Sequence, residues 1–216
     1  MKKYDLIYFC GDSWTVALNT DGVLPEIQPT HTLFTYLVAD HFKLPYKVDA
    51  KGGASNTWIQ RQLYDNLPEI KQQYNNILCV VGYTCPTRQE IYYTKTGEAE
   101  TLSENACSKE FYQRFITEHF DYGFCDRRTK TIIKTVRSLA HTLSIDLIEA
   151  FAFSDVLDVD FLNNNHVLET NFMHVAGDEG RIYNPKTGGH GHQNKLGNRK
   201  IADALIHKIQ SIYGSN

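Results

Sequence analysis

The chain has 216 residues, with 22 Lys plus Arg against 25 Asp plus Glu and a formal net charge of −3. That length supports one domain with a sizeable core and is short for two, and the near-balance of interspersed charges excludes a strongly basic nucleic-acid footprint. Hydrophobic residues at 42% and aromatics at 12% exclude a disordered chain, and no apolar run approaches the roughly 18 to 20 residues that span a bilayer. The basic start Met1-Lys2-Lys3 is followed by an apolar stretch that stops at Cys10, with Asp12 just beyond. A secretory signal needs about 7 to 15 apolar residues leading to a small-residue cleavage site. The five cysteines, Cys10, Cys79, Cys85, Cys107 and Cys125, are odd in number and form no CxxC, so they read neither as a disulfide framework nor as a zinc site. The expectation is one domain over residues 1–216, made in a reducing cytoplasm, with neither a membrane nor a nucleic acid as partner.

In chain order, Leu6-Ile7-Tyr8-Phe9-Cys10 is a short apolar run closed by Gly11-Asp12, the pattern of a buried strand. Asn19 to Pro29 is polar and broken by Gly22, Pro25 and Pro29, which predicts a loop. Thr30 is placed to cap a helix carrying Leu33, Phe34, Leu37 and Val38 at helical spacing. Tyr46-Lys47-Val48-Asp49 predicts a strand running into Gly52-Gly53, and a second helix starts near Asn56 with Ile59, Leu63, Leu67, Ile70 and Tyr74 on one face. Pro68 falls in the later half of that helix, where a proline removes a donor. Ile77-Leu78-Cys79-Val80-Val81 is the clearest buried strand and ends at Gly82. Residues 88–103 predict a loop or small hairpin. Two helical patterns follow, marked by Phe111, Phe115 and His119 and by Ile132, Val136, Leu139 and Leu143, and then a strand over Ile145–Phe151. Residues 154–195 show little periodicity, and a last helix carries Ile201, Leu205, Ile209 and Ile212. Strands alternating with helices predict a mainly parallel sheet covered on both faces. Ligands of such sheets gather at the carboxyl ends of the strands. The breaks Gly11-Asp12-Ser13-Trp14, Gly52-Gly53-Ala54-Ser55-Asn56 and Gly82-Tyr83-Thr84 therefore share one rim.

Ser13, just past a buried strand, is a candidate nucleophile, but a serine hydroxyl needs a base within hydrogen-bond reach. His192-Gln193-Asn194-Lys195-Leu196-Gly197, a polar segment ahead of the last helix, offers a loop histidine, with His190 as its competitor. Trp14 and Tyr83 either contact substrate or pack beside the rim. Arg88 is either a substrate anchor or a surface arginine. Cys10 and Cys79 read as core, and Cys85 lacks a nucleophile signature. His166, His174, Asp178 and Glu179 match no metal-ligand spacing, and Gly11–Thr20 holds no phosphate-loop pattern for a flavodoxin-like nucleotide binder. No cofactor and no metal is expected.

Taken together, Gly11-Asp12-Ser13-Trp14, the Gly53 segment and His192-Gln193-Asn194-x-x-Gly197 occur in the order of the blocks of the SGNH (GDSL-type) hydrolases, which the sequence resembles from residue 11 to 197. The resemblance implies a three-layer α/β/α sandwich, Ser13 as nucleophile and oxyanion donor, Gly53 as a second donor, and His192 rather than His190 as base. It departs from the pattern twice. Thr84 stands where the third block carries an asparagine that donates to the oxyanion, so the resemblance implies the Thr84 hydroxyl as the third oxyanion donor. Gly189 stands where an aspartate three residues before the histidine would orient it. That leaves a Ser–His dyad, or a displaced acid among Asp155, Asp158 and Asp178. An aromatic-Thr pair followed by an arginine, here Tyr83-Thr84 and Arg88, resembles variants from phage and surface-glycan contexts, which implies a virion-associated or host-cytoplasmic setting. The polar-aromatic insertion around 85–125 favours a polar substrate. The expected partner is a small-molecule or glycan ester, best an O-acetylated sugar, with Asn56, Tyr83, Trp14 and Arg88 as substrate contacts. A catalytically weak glycan-binding module is the alternative.

Overall fold

The computed structural model describes residues 4–16, 30–92, 99–102, 121–153, 164–184 and 189–214, together with Glu110 and Arg114. Four strands, β1 (Leu6–Gly11), β2 (Tyr46–Ala50), β3 (Ile77–Tyr83) and β6 (Asp146–Phe151), form one parallel sheet in the order β2-β1-β3-β6. Parallel strands covered on both faces read as unbroken apolar runs, and β1 and β3 are buried along their whole length. Side chains alternate between the faces. Ile7, Phe9, Leu78, Val80, Ile148 and Ala150 pack on helices α2 (Phe34–Phe42), α5 (Phe172–Ala176) and α6 (Lys195–Tyr213). Leu6, Tyr8, Cys10, Cys79, Val81 and Leu147 pack on α3 (Asn56–Gln73) and α4 (Tyr122–Thr142). The result is a three-layer α/β/α sandwich.

The strand order contains the feature that places a site. From β1 the chain moves to β2 on one side, then crosses back to β3 on the other side of β1. Loops leaving β1 and β3 therefore part at the carboxyl edge of the sheet, and the opening between them is where open α/β sheets bind ligands. Two antiparallel hairpins lie outside the sheet. One is β4 (Gln89–Tyr92) with β5 (Ala99–Leu102), and the other is β7 (Arg181–Asn184) with β8 (Gly189–Gln193).

Several expectations change. Thr30 opens a short 3-10 turn, Thr30–Thr32, and does not cap α2. The Phe34 N–H at the start of α2 is instead bonded at 3.0 Å by Asn198 Oδ1 of α6. Helix α3 continues through Pro68, because Leu67 and Ile70 on either side of it are held in the core and that burial outweighs one missing backbone bond. The segment of His192 is a strand, β8, and not a loop. The predicted helix of Phe111, Phe115 and His119, the loop of residues 19–29 and most of the 85–125 insertion lie outside the described residues. Among the described residues, no helix is long and apolar enough to cross a membrane.

Candidate functional site

In the sheet register Gly11 lies opposite Ala50 on one side and Gly82 on the other. Neighbouring strands lie about 4.8 Å apart, so the segments that follow, carrying Ser13, Gly53 and Thr84, emerge side by side. Helix α1 (Ser13–Val16) is a single turn seated on the end of β1. Its seat depends on glycine. A Cβ at Gly11 would stand 2.0 Å from Thr15 Oγ1, and one at Gly82 would stand 2.7 Å from the same atom. Two glycines paired across β1 and β3 thus clear the space that lets Thr15 sit down and seats Ser13, itself 2% exposed, at the carboxyl edge of the sheet.

Asp12 organises the start of this turn. Its Oδ1 accepts the Trp14 N–H at 2.9 Å and its carbonyl accepts the Thr15 N–H at 3.0 Å. The first N–H groups of a helix lack intrahelical partners, and among the described residues no hydrogen bond takes that of Ser13. Asp12 is fully buried, and its Oδ2 accepts from Arg88 Nη1 at 2.9 Å. Burial pushes its carboxyl up from the ordinary range, while Arg88, the Trp14 N–H and the Thr84 hydroxyl pull it down. The Arg88 guanidinium also lies 5.2 Å from the centre of the Phe153 ring.

The Ser13 hydroxyl and His192 Nε2 are 2.7 Å apart. For the serine to donate, His192 must carry its own proton on Nδ1. The imidazole rests near the Trp14 indole, with centroids 6.0 Å apart, and Trp14 in turn meets Phe153 edge-on at 6.1 Å. The rest of the His192 motif now has a structural meaning. Asn194 caps α6, its Oδ1 accepting from Leu196 N at 2.8 Å and Gly197 N at 3.1 Å. Gly197 lies so close to Gly180 that an added Cβ would stand 2.0 Å from the Gly180 carbonyl oxygen. Cap and glycine together fix β8 where it enters α6.

Gly53 has φ +73°, in the left-handed region that favours glycine, and no atom within 4 Å of where a Cβ would stand. It is the third residue of a turn closed by the Ala54 N–H on the Lys51 carbonyl at 3.1 Å, with open space on the side where a side chain would stand.

Other expected site residues are drawn underneath. Asn56 grips the backbone of Thr84, donating to its carbonyl at 3.0 Å and accepting its N–H at 2.9 Å. Thr84 is fully buried, and its hydroxyl makes no hydrogen bond of normal length among the described residues. Tyr83 is buried, with its hydroxyl donating to Glu149 Oε1 at 3.1 Å and its ring against Phe151. Trp14 is 2% exposed. Burial turns Asn56, Tyr83 and Trp14 from substrate contacts into supports of the rim. Asp178 pairs with Arg181 at the surface, while Asp155 and Asp158 lie outside the described residues. Among the described residues, no three His, Cys, Asp or Glu side chains gather as a metal would need. Cys10 and Cys79 are core residues, as expected.

Sequence reasoning missed Gln193. It is fully buried, and its Nε2 donates to the Trp14 carbonyl at 2.5 Å. Its signal was the presence of an amide where the motif that this segment resembles carries proline.

No family model matches the sequence, and no curated protein matches it. Solved structures do. A lipolytic protein of the G-D-S-L family from Desulfitobacterium hafniense has a TM-score of 0.50 at 13% identity, over 94% of this chain and 99% of that one. A psychrotrophic esterase from Pseudoalteromonas sp. has a TM-score of 0.55 at 12% identity, over 98% of this chain and 100% of that one. An acetyl xylan esterase from the rumen bacterium Butyrivibrio proteoclasticus has a TM-score of 0.57 at 12% identity, over 99% of this chain and 66% of that one. The chain has the α/β fold of the GDSL/SGNH hydrolases.

Proposed function

We propose that this protein is a serine ester hydrolase acting on a small acyl ester, with O-acetyl groups of a carbohydrate as its substrate class. The observation that carries the reading is the 2.7 Å contact between Ser13 Oγ and His192 Nε2, which joins the nucleophile turn to a base far along the chain. Ser13 Oγ attacks the ester carbonyl as its proton passes to His192 Nε2. The carbonyl oxygen takes up the negative charge and is held by the N–H groups of Ser13 and Gly53. Collapse breaks the bond to the alcohol, which leaves with the proton from His192, and the acyl group remains on Ser13. Water then attacks the acyl carbonyl, again giving its proton to His192, and Ser13 is released with the free acid. The Arg88 side chain keeps 22% of its surface open and offers its remaining N–H groups to a polar substrate. The polar and aromatic character of residues 85–125 and the acetyl xylan esterase among the similar folds support a carbohydrate ester.

A second reading, a glycan-binding site with weak or lost catalysis, draws support from Thr84, whose buried hydroxyl leaves the oxyanion two donors. One experiment separates the two. The wild-type protein and Ser13→Ala are treated with a fluorophosphonate probe, and acetate release from O-acetylated glycans is followed. Labelling and acetate release that vanish together in Ser13→Ala support the hydrolase. Glycan binding without labelling supports the binding module.

A further inference from the structure

Two consecutive residues of β8 reach two consecutive residues of α1. His192 Nε2 meets Ser13 Oγ at 2.7 Å, and Gln193 Nε2 donates to the Trp14 carbonyl at 2.5 Å. Neighbouring strand residues point to opposite sides, so the two bonds grip the turn from different directions. One hydrogen bond between β8 and α1 would act as a pivot, about which the serine swings toward or away from the imidazole. A second bond on another bearing stops that rotation. The Gln193 side chain is itself fixed. It is 0% exposed, and its Cβ lies 2.9 Å from where a Cβ on Gly197 would stand, against the first turn of α6. The proline that the resembled motif carries here has no side-chain donor, so the strap is a feature of this chain.

We propose that Gln193 is a positioning residue of the catalytic pair, its amide fixing α1 so that Ser13 Oγ stays within proton-transfer distance of His192. The role rests on the hydrolase reading above. Misplacement of reacting groups by about 1 Å reduces rates on the order of 100-fold, and loss of the strap permits a displacement of part of that size. Gln193→Leu keeps the bulk and removes the donor. Gln193→Glu keeps the shape and makes donation depend on pH, since a protonated carboxyl donates to the Trp14 carbonyl and a carboxylate cannot.

The test measures kcat and KM on an activated short-chain ester, and the rate of fluorophosphonate labelling, below the melting temperature of every variant. Gln193→Leu should lose roughly 10- to 100-fold in kcat and in labelling rate, with KM within about twofold because bound substrate is not touched. For Gln193→Glu, the ratio of its kcat to the wild-type kcat is taken at the same pH, over the range in which kcat of the wild-type or Gln193→Leu control is flat. That ratio should fall as pH rises. Should Gln193→Leu fail to fold, this ratio decides alone. A wild-type labelling rate in Gln193→Leu, a loss of melting temperature without loss of kcat, or a pH-independent ratio would overturn the positioning role while leaving the hydrolase reading intact. A wild-type protein that neither labels nor hydrolyses would overturn both.

Discussion

Replacing Asn56 with leucine removes both bonds that hold the chain at Thr84, the donor to its carbonyl at 3.0 Å and the acceptor of its N–H at 2.9 Å. Asn56 is 3% exposed and Thr84 0%, so neither backbone group gains water in exchange. A buried polar group left unsatisfied costs about 1 to 3 kcal/mol. Two such groups set a range of about 2 to 6 kcal/mol, and relaxation of the rim favours its lower half, about 2 to 4 kcal/mol. Asn56→Asp separates the two bonds. It keeps the acceptor but sets a carboxylate oxygen against the Thr84 carbonyl, which favours the protonated acid and raises the folded-state pKa above the unfolded one. Stability from a raised carboxyl is complete below the ordinary aspartate value, about 4, and is lost as pH rises through the folded value. Urea denaturation of wild type, Asn56→Leu and Asn56→Asp across acid to neutral pH measures both effects. KM on a short-chain ester should move by less than about twofold, since the residue supports the rim and does not touch substrate. A loss below about 1 kcal/mol in Asn56→Leu, or an Asn56→Asp deficit that does not grow with pH, would refute the clamp.

Ser13→Ala should abolish fluorophosphonate labelling while changing stability by less than about 1 kcal/mol, and hydrolysis at the wild-type rate would remove Ser13 from the nucleophile role. His192→Ala should lose far more kcat than His190→Ala on the same ester, and the reverse order would transfer the base to His190. Thr84→Val should lower kcat by less than about tenfold, whereas a loss of about 100- to 1,000-fold would return its hydroxyl to the oxyanion hole. Burial pushes the Glu149 carboxyl up, against the pull of Arg137 and the Tyr83 hydroxyl, so its contribution is fullest below the ordinary glutamate value and falls as pH rises through the folded one. The stability difference between wild type and Glu149→Gln should therefore shrink with rising pH, read from melting temperatures over a pH series, and a difference that widens contradicts this.

The parts of the molecule legible in the sequence are those whose cause is local. The apolar runs of β1 and β3 need no partner to be read as buried strands, and the spacing of Ile59, Leu63, Leu67 and Ile70 predicts the face of α3 that is buried. Ser13 and His192 were singled out through the order of short motifs along the chain, and the structure places them in contact. Features made by distant residues were not. The N-terminal bond of α2 comes from Asn198, 164 positions away, so Thr30 had no visible competitor. Gly189-His190-Gly191-His192-Gln193 carries no alternation of apolar and polar residues, which hid strand β8. From sequence, Asn56 reads as facing substrate, Tyr83 as either facing substrate or packing beside the rim, and Arg88 as either a substrate anchor or a surface arginine. Thr84 and Glu149 turn Asn56 and Tyr83 inward, while Asp12 holds one end of the Arg88 guanidinium, and each pairing spans at least 28 positions.

The contact between Ser13 and His192 joins residues 179 positions apart, and β8, which carries His192, runs directly into α6. Pairings of such separation carry a high loop-closure entropy and form late in folding. The parallel sheet with α3 and α4 can therefore be assembled while Ser13 and His192 are still apart. During refolding from denaturant, recovery of esterase activity should lag behind recovery of helical circular dichroism. On the hydrolase reading proposed above, ester turnover would then report the final docking step and not the collapse of the chain.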